Sequence, residues 1–311
     1  MTVVSSTQGS DTTSDEEGRV FVETPLRRFI SDFSESWLAL AGLVMFLTIV
    51  SLAVFAPLIA PQDPYDLSTL DLLDSKLKPG ELLSSGQVAW LGTDGLGRDI
   101  LSAIMYGLRI SLAVGASSAF IALFIGASIG LAAAYAGGRV DAIIMRIVDI
   151  QLSFPSILIG LVLIAVLGSG TEKIIVALVA VQWAYYARTV RGTALVERRK
   201  EYIEAARCLA LSSRVILFQH LLPNCLPPLI VLVTVQVAHS IALEASLSFL
   251  GVGLPVTEPS LGRLIANGFE YMMSGKYWIS FFPGLALLFL ILSINLVGDQ
   301  VRDVLNPRLQ R

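Results

Sequence analysis

The feature that most constrains this chain is a succession of apolar runs separated by polar, charged stretches. A helix that crosses a bilayer needs about 20 mostly apolar residues to traverse about 30 Å of hydrocarbon. Six segments are read as spans, at about Trp37–Ala60, Leu108–Tyr135, Ala142–Leu167, Ile174–Tyr186, Pro227–Leu250 and Ile279–Val297. An even number of crossings puts both termini on the same side. Composition agrees, since 54% of residues are hydrophobic and only 15% charged, against about 25% charged in an average soluble domain. The expected fold is an all-α membrane protein with six transmembrane helices.

The side follows from where Lys and Arg fall near the span ends, because basic residues collect in cytoplasmic loops. Arg27 and Arg28 precede the first span, and Arg139 lies between the second and third. Arg188, Arg191, Arg198, Arg199 and Lys200 follow the fourth, and Arg302, Arg308 and Arg311 end the chain. All share one side of a six-span topology, so N- and C-termini are expected in the cytoplasm. The opposite loops are acidic: Asp63, Asp66, Asp71, Asp74, Glu81, Asp94 and Asp99 outnumber Lys76, Lys78 and Arg98. Residues 1–35 read as a largely disordered cytoplasmic tail, rich in Ser, Thr, Asp and Glu and without the order of a cleavable signal. Residues 36–311 then form the membrane domain, with an outer loop at 62–106. A second outer loop, Gly251 to Trp278, contains Pro255, Pro259, Gly262 and Gly268 and is expected to dip into the interface or cap the outer mouth.

Several chemistries are disfavoured by the residues themselves. A net charge of −3 gives no basic surface for nucleic acid. Cys208 and Cys225 form neither a disulfide framework nor a metal site, and only His220 and His239 could add imidazole ligands. The glycines of Gly92–Gly97 follow no strand and precede no GK[ST], so they read as a turn at the outer mouth rather than a phosphate loop. Gly126-Ala127-Ser128-Ile129-Gly130 fits a GxSxG pattern but lies within a span, where GxxxG spacing means close helix packing. His239 and Glu244 are ionisable groups in or near the fifth span and therefore candidates for a translocation pathway. Five residues apart on a helix, they are separated by about 140° and form no dyad. Asp141, Arg146 and Asp149 suggest a local ion pair, Arg146 with Asp149. Trp183, Tyr185 and Tyr186 read as an interfacial belt. No internal repeat is visible, so an inverted-repeat secondary transporter gains no support.

The stretch from Arg191 to Asn224 is the most informative. Tyr202–Leu211 favours helix, Ser212 and Ser213 offer a turn and a new N-cap, and Val215–Leu222 forms a second helical piece that ends at Pro223. Pattern alone leaves open an interfacial amphipathic connector. However, Glu204-Ala205-Ala206 followed by His220-Leu221-Leu222-Pro223-Asn224 resembles the EAA loop of importer permeases of the ABC superfamily. The run Leu91-Gly92-Thr93-Asp94-Gly95-Leu96-Gly97-Arg98-Asp99 resembles the LGTDxLGRD segment of the dipeptide, oligopeptide and nickel branch. Asp149–Pro155, Glu244–Gly251, Asn295–Asp299 and Pro307–Leu309 fit the same branch, in order, over residues 35–310. The second permease of the pair, the DppC/OppC type, is the more similar.

That resemblance implies a type I importer permease in the bacterial inner membrane, with a cytoplasmic EAA loop at 191–224 acting as a coupling helix. It assigns coupling to an ATPase to Glu204, Ala205, Ala206, Ala210, His220, Pro223 and Asn224. It implies as partners a second homologous permease, two ATP-binding subunits and an extracytoplasmic substrate-binding protein. ATP and Mg would be held by the ATP-binding subunits, with no cofactor, metal or catalytic residue on this chain. Peptides are the implied cargo, with nickel or another small solute as the alternative. The family usually has Gly where Ala210 stands. Because Ala does not readily take φ > 0, the turn is expected to be built otherwise or the helix to run on. A stand-alone secondary transporter using His239 and Glu244, and a hydrolase using Ser128, are the rival readings.

Overall fold

The computed structural model describes residues 25–65, 70–255 and 258–305. Twelve α-helices carry the fold among these residues. Helix α1 (Pro25–Ser34) precedes the long apolar α2 (Trp37–Val54) and a short α3 (Ala56–Ile59). The rest of the expected tail, residues 1–24, lies outside the described residues, but its last part is helical and packed. There Gln300 Nε2 donates to the Asp32 carbonyl at 3.0 Å.

Helix α4 (Ile100–Ala136) is 37 residues long, about 55 Å at 1.5 Å per residue. It starts where Asp99 caps it, the carboxylate accepting the Ser102 amide at 2.8 Å and the Ser102 hydroxyl at 2.7 Å. It ends at Gly137, whose φ of 65° no β-carbon opposes. Next come α5 (Gly138–Ser153), α6 (Ser156–Leu167), α7 (Thr171–Glu197) and α8 (Glu201–Cys208). A short α9 (Ser213–Val215) runs through a π-helical turn (Ile216–Leu221) into α10 (Leu222–Phe249). The chain closes with α11 (Leu261–Met272) and α12 (Trp278–Leu305).

Four helical stretches are long and apolar enough to cross a membrane: Trp37–Val54, Ile100–Ala136, Ile216–Phe249 and Trp278–Leu305. The expected third span is not one straight helix. Its halves, α5 and α6, meet at 93°. Pro155 has no N–H to continue the ladder and pushes the preceding residue out of the helical region, and Phe154 is accordingly extended at φ −94°, ψ 143°. Helix α7 outruns the expected segment at both ends, and charges at Glu172, Lys173, Arg188 and Arg191 keep it below the apolarity of the other four. Pro223 does not end the second helical piece either. It sits in the first turn of α10, and the π turn before it carries the helix through, delivering the Leu222 amide to the Leu217 carbonyl.

Helix α4 forms the axis of the bundle. Gly126 and Gly130 let α7 approach to backbone contact, as the GxxxG spacing predicts. A β-carbon on Gly126 would sit 2.3 Å from the Trp183 carbonyl oxygen, and one on Gly130 would sit 2.3 Å from that of Ala187. Ser128 uses its hydroxyl in a 2.7 Å bond to the Phe124 carbonyl of its own helix. The acids of α5 reach across to α7 instead of pairing locally: Arg191 grips Asp141 with two bonds of 2.8 and 2.6 Å, and Arg188 bonds Asp149.

The loop between α3 and α4 is not purely irregular, and so the fold departs from all-α in one detail. Strands β1 (Glu81–Leu82) and β2 (Val88–Ala89) pair antiparallel, with Glu81 opposite Ala89 and Leu82 opposite Val88. The Leu91–Asp99 run folds into a knot beside this hairpin. Asp94 and Arg98 are both buried and paired at 2.8 Å, and the other Asp94 oxygen accepts the Leu96 and Arg98 amides. Gly97 has φ 79° and a β-carbon there would lie 2.4 Å from the Asp71 carbonyl oxygen. These polar groups satisfy one another, so the run is a structural turn. Lys76 lies 4.3 Å from the Tyr271 ring centre, and this joins the knot to α11.

Candidate functional site

At the opposite end of the bundle from the hairpin, α8 projects as a short helix fixed on one face only. Glu201 and Glu204 lie in its first turn and Arg207 in its last, the distribution that suits the helix dipole. Ile203 and Ala206, three residues apart and so on one side, are 0% and 4% exposed. They pack in a cluster with Tyr186, Val190, Ile216 and Leu221. The opposite face leaves Glu201, Glu204, Ala205 and Cys208 exposed, and Leu209 is 74% exposed at the end.

Helix α8 ends in a Schellman motif. The Ala210 amide donates to the Arg207 carbonyl at 2.9 Å, and the Leu211 amide to the Ala206 carbonyl at 3.2 Å. This pattern needs a left-handed residue at its centre, and Ala210 supplies it at φ 55°. The helix does not run on and the turn is not built differently. Ala occupies the conformation usually given to Gly, which costs an L-residue roughly 1–2 kcal/mol.

The joint between α7 and α8 is held by charges. Glu197 accepts Lys200 Nζ at 2.6 Å on one oxygen and the Tyr202 hydroxyl at 2.8 Å on the other. Burial and that bond push the Tyr202 phenol up to about 12, so it stays a donor at all ordinary pH. Arg198 donates to the Ala134 and Tyr135 carbonyls at 2.7 and 3.1 Å, groups that the end of α4 leaves without helical partners. The Tyr135 hydroxyl in turn bonds Ser213. Motion of α8 is thereby tied to α4 and α7. Of the other residues the resemblance singles out, His220 lies in the π turn and Pro223 in the first turn of α10, and Asn224 Nδ2 donates to the His220 carbonyl at 2.7 Å. Both Pro223 and Asn224 are exposed.

His239 and Glu244 are held apart, as their spacing implies. Glu244 is fully buried, accepting Ser248 Oγ at 2.7 Å and Ser111 Oγ at 3.2 Å, with Ser260 as a third hydroxyl partner. It therefore ties α4, α10 and the N-cap of α11 together. The His239 ring stands edge-on to Tyr185 with centroids 6.5 Å apart, and among the described residues its Nδ1 has no hydrogen-bond partner.

Residues 126–311 match the family described as binding-protein-dependent transport system inner membrane component, and residues 24–79 match the N-terminal transmembrane domain of oligopeptide transport permease C. The chain belongs to this family of importer permeases. Within the family it is similar to the di/tripeptide transport system permease protein DppC of Pseudomonas aeruginosa, 38% identical over 92% of this chain and 93% of the relative. It is also similar to the oligopeptide transport system permease protein OppC of Bacillus subtilis, 36% identical over 90% and 88%. A glutathione transport system permease, GsiD of Pectobacterium atrosepticum, is 36% identical over 93% of each chain. Among solved structures, a chain of the inward-facing MetNI methionine ABC transporter aligns with TM-score 0.54 and 24% identity, covering 65% of this chain and 96% of that one. At that identity the likeness concerns the fold. The chain is thus a multi-pass ABC importer permease of the peptide-transport class and of DppC/OppC type.

Three features of the α8 end were not singled out by the sequence: the Glu197–Lys200–Tyr202 clasp, the Arg198 cap and exposed Leu209. A leucine in an Ala-rich helical run reads as a buried residue, and only its place at the helix end turns it outward.

Proposed function

We propose that this permease works as one half of a heteromeric ATP-driven peptide importer and that α8 is the element its ATP-binding partner grips. In this reading α2, α4, the bent pair α5–α6, α7, α10 and α12 are the six spans. Both termini and α8 then face the cytoplasm, as the Lys and Arg distribution favours. The partners are a second related permease, two ATP-binding subunits that hold ATP and Mg, and an extracytoplasmic binding protein that delivers the solute. Closure of the ATPase pair draws the coupling helices together, and the clasp at Glu197 and Arg198 passes that movement to α7 and α4. ATP and loaded binding protein shift the equilibrium only if each binds the outward-open state more tightly than the inward-open one.

The observation that carries this reading is the build of α8, which is anchored through Ile203 and Ala206 and ended by the Ala210 turn. Its opposite face is exposed, with Glu201, Glu204, Ala205 and Leu209 on it. A helix so fixed on one face and bare on the other is shaped to be pushed. Peptides are the preferred cargo because the similar curated permeases are named for di-, tri- and oligopeptide transport. The test is uptake of radiolabelled Ala-Ala into proteoliposomes holding both permeases, the ATP-binding subunits and the binding protein. Uptake should require ATP. Accumulation that continues without ATP, or without the ATP-binding subunits, would overturn the proposal.

A further inference from the structure

Near the start of α4, at the hairpin end of the bundle, a cleft of about 360 Å³ is lined by Tyr65, Tyr106, Arg109 and Thr171. That volume is within the range of small-ligand pockets. Arg109 is the charged residue of its lining, with the apolar Ile110 and Ala113 beside it. Arg109 is exposed and, among the described residues, pairs directly with no carboxylate. Glu258 lies beside the cleft, one oxygen taking the hydroxyl of the lining residue Thr171 at 2.6 Å. Asp63, whose other role is to accept the Tyr65 amide at 2.9 Å, flanks the rings. The Tyr65 and Tyr106 rings meet edge to face at 5.4 Å. The Tyr65 phenol is raised above its ordinary range, first by burial and then by Glu258, with Arg109 opposing. The Thr171–Glu258 bond and the place of Arg109 and Thr171 in one lining put the anion and the cation at the same cleft.

Arg109 is exposed at the outer end of a spanning helix and open to an anion. It lines a cleft that also presents two aromatic rings, with the Glu258 carboxylate at its edge. A zwitterion satisfies every part. Its carboxylate fits the guanidinium fork, and its ammonium fits Glu258 and Asp63 and the faces of the tyrosines. Two extended residues span at most about 7 Å, a length suited to a cleft of about 360 Å³. From this geometry we infer that the Arg109–Glu258 cleft is a receiving site for the charged termini of a short peptide at the outer mouth. Arg109 holds the carboxylate and Glu258 the ammonium. The inference rests on the peptide-importer reading and deepens it, giving this permease its own contact with the cargo after release from the binding protein.

The experiment uses the reconstituted complex with Ala-Ala as probe and loaded binding protein at saturation. Arg109→Gln and Glu258→Gln should each lower the rate of Ala-Ala uptake at least tenfold, while all subunits co-purify at wild-type ratios. Arg109→Lys, which keeps the charge but not the fork, should recover at least a third of wild-type uptake. Three results would overturn the site alone. One is uptake by both glutamine variants within twofold of wild type, which leaves Arg109 facing lipid headgroups or solvent. Another is a defect seen at limiting binding protein and absent at saturation, which makes Arg109 a contact for that protein. The last is loss of co-purification in all three variants, which makes the cluster structural. A wild-type complex that takes up no Ala-Ala at all overturns the importer reading itself, and is recognised before any variant is made.

Discussion

Ala210 and Glu244 show how much single positions decide here. Ala210 is held at φ 55° by the two Schellman bonds, so Ala210→Gly removes left-handed strain at a modest cost in unfolded-chain entropy. The turn should gain about 1 kcal/mol, read as slower hydrogen exchange at the α8 amides with uptake retained. Faster exchange would mean that the methyl group itself supports the turn. Glu244 is different, since three hydroxyls point at it. Glu244→Ala strands those donors and opens a cavity, and should cost about 3 kcal/mol or more, seen as a fall in the thermal unfolding midpoint in detergent. Glu244→Gln should keep most of the stability, because an amide still offers an acceptor. If both variants instead abolished uptake at an unchanged midpoint, Glu244 would belong to the solute pathway and not to the packing.

At the scale of elements, the α4–α7 crossing should tolerate nothing larger than glycine. Gly130→Leu would place side-chain carbons where Ala187 backbone already lies 2.3 Å from a β-carbon position. It should abolish recovery of monodisperse protein by size-exclusion chromatography. Gly192→Ala in α7 has open space around it and should be neutral or slightly stabilising. That crossing was legible from the GxxxG spacing, and so were most of the apolar helices and the surface helix after the fourth apolar run. Other features were not. Phe154-Pro155 is visible as a break, but whether two halves turn by 93° depends on what α6 packs against. Arg146 and Asp149 have correct spacing for a local pair, yet Arg188 takes Asp149 once α7 folds over α5. Ala210 has a poor propensity for φ > 0, and the amides of Ala210 and Leu211, bonded back to the Arg207 and Ala206 carbonyls, hold it there. At Ala210 a local preference was overridden by the closing bonds of the helix itself, and at α5 by a partner remote in sequence. The receiving cleft was hidden for the same reason, because Tyr65, Arg109, Thr171 and Glu258 come from four separate parts of the chain.

For the whole molecule, orientation and drive are the claims to test. Cys208 is exposed on α8 and Cys225 is buried. A membrane-impermeant maleimide should therefore label Cys208 in inside-out vesicles stripped of the ATP-binding subunits but not in intact cells, and should label Cys225 in neither. Labelling of Cys208 from outside would invert the topology and remove α8 from the reach of any cytoplasmic ATPase. The central claim is that α8 transmits ATPase motion through its exposed face, and Glu204→Lys tests it most directly, because it reverses a charge on that face without touching the buried Ile203–Ala206 side. In the reconstituted complex the variant should lose co-purified ATP-binding subunit and at least tenfold of ATP-dependent Ala-Ala uptake. Wild-type co-purification together with wild-type uptake would contradict the account.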